Sequence, residues 1–159
     1  METAVSLLRR GSLLAVLAVV VALPVGTAEG STARTGAICL PVRATGVGQD
    51  LGEGKTQATI SSHGHVIGQT NASFKINEVI GTTASFTGPI DFTSPLGTLT
   101  AQVAGTFDVA TGAFRATSTS VTGTRLFRGV SGSVTVAGVE DFATLGFTET
   151  ITGRLCLGQ

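Results

Sequence analysis

From Leu99 to Val109 the chain alternates: Leu99, Ala101, Val103, Gly105, Phe107 and Val109 share one parity, while Thr98, Thr100, Gln102, Ala104, Thr106 and Asp108 hold the other. Period two over so long a run marks a strand with one face turned to a core. The same pattern sets Thr56, Ala58 and Ile60 against Lys55, Gln57 and Thr59. It recurs with Val66, Gly68, Thr70, Ala72, Phe74 and Ile76 on the less polar face, and again with Ala84, Phe86, Gly88, Ile90 and Phe92. After residue 34 apolar residues nowhere recur at helical spacing over a useful length, and the abundant Thr and Gly disfavour long helices. The predicted fold class is all-β.

Ile38 to Ala44 reads as a first, edge-like strand, because Pro41 removes a ladder donor and is tolerated mainly at an edge or a bulge. Gly46 to Gly54, with Gly at alternate places, reads as a loop. The stretch from Leu126 to Leu157 supplies a Gly-punctuated turn (Phe127 to Gly132), a strand, a tight turn, and a last strand ending at Cys156. Residues 105–114 are echoed by residues 138–147, with Gly, Asp, Ala, Thr and Phe at matching places. Each copy predicts strand, turn, strand, the Asp accepting turn amides. Seven or eight strands in up-and-down order fit either a sandwich or a closed barrel. Consecutive hairpins without long crossovers favour the barrel, and closure removes edge strands. The expectation is a closed antiparallel barrel of about eight strands, its first and last strands joined by a disulfide.

That disulfide pairs Cys39 with Cys156, the only two cysteines. No second Cys makes a C-x-x-C, so a structural bridge is favoured over a redox or metal role. Closing a loop of roughly 100 residues stabilises by about 4–5 kcal/mol on the chain-entropy account.

Export explains why such a bridge forms. Arg9 and Arg10 precede an apolar run of eleven residues, Leu13 to Leu23, followed by Pro24 and small residues. This is the layout of a secretory signal, and a spanning helix needs about 20 apolar residues. Residues 1–33 are therefore expected to be removed, with cleavage near Ala28 or Ala33, leaving 34–159 as a single β-barrel domain, secreted and away from the membrane. Lys plus Arg equals Asp plus Glu at ten each. No net field draws nucleic acid, and no basic patch with interleaved aromatics appears.

Gly123 to Gly132, followed by a Val-rich and then a Thr-rich strand, resembles the allene oxide cyclase-like and dirigent-like barrels. Gly52-Glu53-Gly54, Val66-Ile67-Gly68 and Phe74-Lys75-Ile76 look like the front half of the same pattern. The chain is also similar to small bacterial barrels that guide polyketide cyclisation. The resemblance spans roughly residues 44–155 and rests mostly on glycines and apolar alternation. It implies a barrel without a cofactor, with an apolar pocket at one mouth, that folds a hydrophobic substrate into a reactive shape or steers a coupling. It assigns no catalytic acid or Arg to a numbered position. The chain departs from the family in having no Tyr and no Trp.

Among single residues, Glu149 shares parity with Phe147, Ile151 and Leu155. It should therefore point to their apolar side, where a carboxylate's pKa rises and acid–base chemistry becomes available. The opposing reading places it at a wet strand end. Phe74, Phe86, Phe107, Phe147 and Ile151 are the candidate pocket residues, lining a cavity or filling it. Glu78 follows Ile76 on the same parity. His63 and His65 form an H-x-H without a third ligand at suitable spacing, so no metal site is expected. Arg125 and Arg128 flank the Gly-rich turn as anion ligands or as solvated loop residues. Asn71-Ala72-Ser73 fits the glycosylation sequon. No G-x-S-x-G elbow is present. Two functions remain: a secreted barrel binding a hydrophobic small molecule, with or without isomerase, cyclase or coupling activity, and a non-catalytic structural or interaction barrel.

Overall fold

The alternating segments form nine strands in the computed structural model, which describes residues 37–157. The expected export signal at residues 1–33 lies outside the described residues. The strands are β1 (Ile38–Gly52), β2 (Lys55–Ser62), β3 (His65–Ser73), β4 (Lys75–Ile80), β5 (Thr83–Ser94), β6 (Gly97–Asp108), β7 (Ala113–Gly123), β8 (Ser131–Asp141) and β9 (Gly146–Leu157). They make one sheet in the order β3-β2-β1-β9-β8-β7-β6-β5-β4, each neighbour antiparallel, and β3 also pairs with β5. That pairing closes eight strands into a barrel and excludes a sandwich.

The ninth strand, β4, continues β3. Ala72 opposes Ile90 and Lys75 opposes Thr87, so three steps along each strand separate the two pairs and the register is unbroken. At the join, Phe74 turns its N–H to the carbonyl of Gly54 at 2.7 Å. A register shift between Ile76 and Glu78 follows, and β4 is exposed along its whole length. Glu78 is therefore on the outside of the barrel rather than on an apolar face.

First and last strands meet as expected. β1 pairs with β9 from Ile38↔Leu157 to Gln49↔Gly146, and Cys39 lies directly opposite Cys156 with the sulfurs bonded at 2.00 Å. Pro41 falls where β1 has β9 on one side and has not yet met β2, whose pairing begins at Thr45↔Ser61. A missing donor costs little there.

One expectation fails at Gly46 to Gly54. β1 runs on to Gly52, and Gly46 and Gly48 are wall positions facing the interior. The glycines serve space rather than turning. A Cβ at Gly46 would lie 2.5 Å from Glu149 Oε1, and one at Gly48 would run into the Phe147 ring. Large side chains of β9 lie flat across the bare backbone of β1. Alternation also overruns two strand ends: Val66 and Val109 are exposed. At Val66 a register shift between Ile60 and Ser61 reverses the facing, and Val109 has passed into a turn.

The barrel's two ends differ. One carries the β1–β2, β4–β5, β6–β7 and β8–β9 turns, here called the hairpin end. The other holds the disulfide and a 3-10 turn at Arg125–Phe127, here called the disulfide end. At the disulfide end Leu99, Val130 and Val134 are buried, and Phe92 and Phe127 pack edge to face at 6.4 Å. Ile60, the most completely buried large side chain, packs with Ala44 and Ala58.

The internal echo is a repeated turn. Asp108 Oδ1 accepts the N–H groups of Ala110 (2.8 Å) and Thr111 (3.1 Å), and Asp141 Oδ1 accepts that of Ala143 (2.9 Å). The hydroxyls of Thr111 and Thr144 each accept the N–H two residues on. Hydrogen bonds from the Ala143 amide, which contributes most, and from Thr144 hold Asp141 below the usual carboxylate range. The repeated Phe114 and Phe147 meet inside the barrel, ring centres 6.0 Å apart.

Candidate functional site

The interior of the hairpin end is hollow, with a cavity of about 290 Å³. Its walls are mainly the rings of Phe74, Phe86, Phe107, Phe114 and Phe147, with Ile151. Phe74 and Phe86 lie 4.9 Å apart in a tilted pair. All five candidate pocket residues therefore face one space, and Glu149 faces it with them. Phe114, which parity alone did not single out, joins through its contact with Phe147.

Three strands position Glu149. It stands on β9 opposite Gly46 of β1 and Gly138 of β8. With no side chain on either neighbour, the Glu149 side chain lies over Gly46, while the Phe114 ring covers Gly138. Among the described residues no hydrogen bond or ion pair reaches the carboxylate; the ion pair found is the exposed Lys55–Glu53 contact at 3.4 Å. Burial alone pushes its pKa up to about 7. Removing water disfavours the charged form, and nothing nearby compensates. Near neutral pH the group is then divided between acid and carboxylate, the condition under which a side chain both gives and takes a proton.

Two further acids line the same cavity, Asp50 at the end of β1 and Glu140 at the end of β8. Glu140 is raised above its ordinary value, first by burial and then by the nearby Asp50 carboxylate. Sequence reasoning missed both. Glu140 shares the inward parity of Val134 and Val136, a legible signal; Asp50 was hidden by reading its glycine-rich surroundings as a loop. The backbone N–H of Asp50 donates to Leu145 O at 2.8 Å, and that of Glu140 to Gly112 O at 2.9 Å. The hairpin turns thus tie down the strand ends that carry the rim acids.

Other candidates lie elsewhere. His63 sits in the β2–β3 turn with φ of 50° and His65 opens β3, both exposed and at the opposite end. Among the described residues no three His, Cys, Asp or Glu side chains are grouped to hold a metal. Arg125, which opens the 3-10 turn, and Arg128, which follows it, are exposed and away from the cavity. Asn71 faces outward and accepts a bond from Gln57 Nε2 at 3.2 Å.

Fold and site together define a closed, disulfide-linked antiparallel barrel with an apolar, carboxylate-bearing cavity at one end. Comparison of the chain with protein-family models and with curated proteins finds no match to either.

Proposed function

We propose that the protein is a secreted barrel that binds a hydrophobic small molecule in the hairpin-end cavity, with Glu149 as the acid–base group for an isomerisation or cyclisation requiring no cofactor. One observation carries this reading: the Glu149 carboxylate, raised to about 7 and reached by no hydrogen bond or ion pair among the described residues, faces an aromatic cavity of about 290 Å³. Small-molecule sites are mostly apolar concavities with a few placed polar groups. A half-buried carboxylate without a partner lowers stability when charged, as expected of a group kept for chemistry rather than for the fold. The resemblance to allene oxide cyclase-like and dirigent-like barrels supports the same use of the barrel mouth. Export is supported by the disulfide and by the tripartite pattern of residues 1–33. No helix among the described residues is long and apolar enough to cross a membrane.

Native mass spectrometry of the protein recovered from its host's culture medium tests this reading. The expected species lacks the leader, carries the disulfide, and retains or takes up a hydrophobic molecule such as neutral N-phenylnaphthylamine at one saturable site. Ala72→Leu, which adds carbon atoms to the cavity wall, should weaken that uptake about tenfold or more, equivalent to at least 1.4 kcal/mol. A protein that takes up no neutral apolar probe would sink the ligand reading and leave the structural or interaction barrel.

A further inference from the structure

The charged side chains that line the cavity are of one sign, whereas the outer surface carries both. The chain as a whole has equal numbers of acids and bases. Yet Arg43, Lys55, Lys75, Arg115, Arg125, Arg128 and Arg154, the Lys and Arg among the described residues, are all exposed. None of them lines the cavity, and neither does either His. Each charged side chain that does line it is an acid: Asp50, Glu140 and Glu149.

The acids stand at different depths. Glu140 lies opposite Phe147, and Glu149 is two residues further in along β9. Asp50 lies beyond Gly48, which is the residue of β1 opposite Phe147. An entering molecule therefore passes the Asp50–Glu140 rim and the Phe147 ring before it reaches Glu149. The ring faces add to the same field, because the π-face of a phenyl group is its negative side and attracts cations.

We infer that the cavity selects a hydrophobic molecule bearing a single ammonium group, an amphiphilic amine, whose cationic head sits among the Phe rings against Glu149. This deepens, and rests on, the reading of the cavity as a ligand site. A carboxylate-headed ligand would set like charges together in a low-dielectric space with no base to relieve them. An ammonium group gains from Glu149 and from the rings. At the rim, Asp50 and Glu140 raise the local concentration of cations in the manner of a charged cleft.

The test is calorimetric titration of the full protein with three molecules of matched size: phenylbutylamine, phenylbutanol and phenylbutyrate. The amine should bind about tenfold or more tightly than the alcohol, and the alcohol about tenfold or more tightly than the carboxylate, each factor equivalent to 1.4 kcal/mol. Glu149→Gln keeps the shape of the side chain over Gly46 and should close most of the gap between amine and alcohol. Equal affinities for all three, or tightest binding of phenylbutyrate, would overturn the selection of cations while leaving the cavity as an apolar ligand site. Failure of all three to bind would overturn both.

Discussion

At the disulfide end Leu99, Val130, Val134 and Ile60 are buried in packed clusters; at the hairpin end Phe86, Phe107, Phe114 and Phe147, from strands of the same sheet, leave about 290 Å³ open. Branched aliphatic side chains project inward and interdigitate, as close-packed cores require. Phenyl rings beside glycines do the reverse. Phe147 lies over Gly48 and Phe114 over Gly138, so each ring coats the wall instead of reaching for the axis. Gly–Phe contact by itself does not separate the two ends, because Phe92 lies over Gly68 at the disulfide end as well; there the aliphatic side chains of Leu99, Val130 and Val134 pack with the rings and occupy the space between them.

Stability should therefore be concentrated at the filled end. The largest effect is expected from the disulfide: Cys39→Ser with Cys156→Ser should cost about 4–5 kcal/mol. Denaturant unfolding with and without reductant measures it. A loss under about 1 kcal/mol would mean that the β1–β9 ladder closes the barrel unaided.

Next, one truncation made at both ends sharpens the contrast. Ile60→Ala should cost about 3 kcal/mol, because it opens a hole in packed surroundings. Ile151→Ala, on the cavity wall, should cost about 1–2 kcal/mol, since its side chain already lacks contacts on one side. Equal losses would show that the hollow end is packed as tightly as the filled one.

A smaller effect separates the ends by pH. The Glu149 carboxyl is raised from 4.5 to about 7 by folding, so folded and unfolded chains are both protonated at low pH and differ as pH rises. Its penalty is absent below about pH 4.5, grows between the two pKa values, and is constant above about pH 7. Glu149→Gln should accordingly stabilise the protein by about 2 kcal/mol at pH 8 and by nothing at pH 4, the 2 kcal/mol being set below the full shift because solvent reaches the cavity. Stability curves for both proteins across that range check the sign. A difference that did not change with pH would place the carboxylate in water.

Much of the site was legible as parity. Phe74, Phe86, Phe107, Phe147, Ile151 and Glu149 are all interior residues by period two alone, and all six face the cavity. What parity could not convey was the meaning of Gly46 and Gly48. Alternate glycines resemble a loop until the partner strand is known, and only β9 shows that they leave room for Glu149 and Phe147. With β1 cut short, Asp50 was lost from the site. The bulges after Ile60 and Ile76 reversed the facing of Val66 and put Glu78 outside, since a one-residue slip exchanges the two faces of a strand.

The sequence by itself determined the strands, the direction of most side chains and the Cys39–Cys156 bridge, because backbone alternation and an isolated cysteine pair are local or countable properties. Only the tertiary structure decided that one end is filled and the other hollow, and that three acids share the hollow with no base. Those outcomes depend on which side chains from strands distant in sequence meet at the same height in the barrel. Register and closure set that height, and no local pattern encodes it.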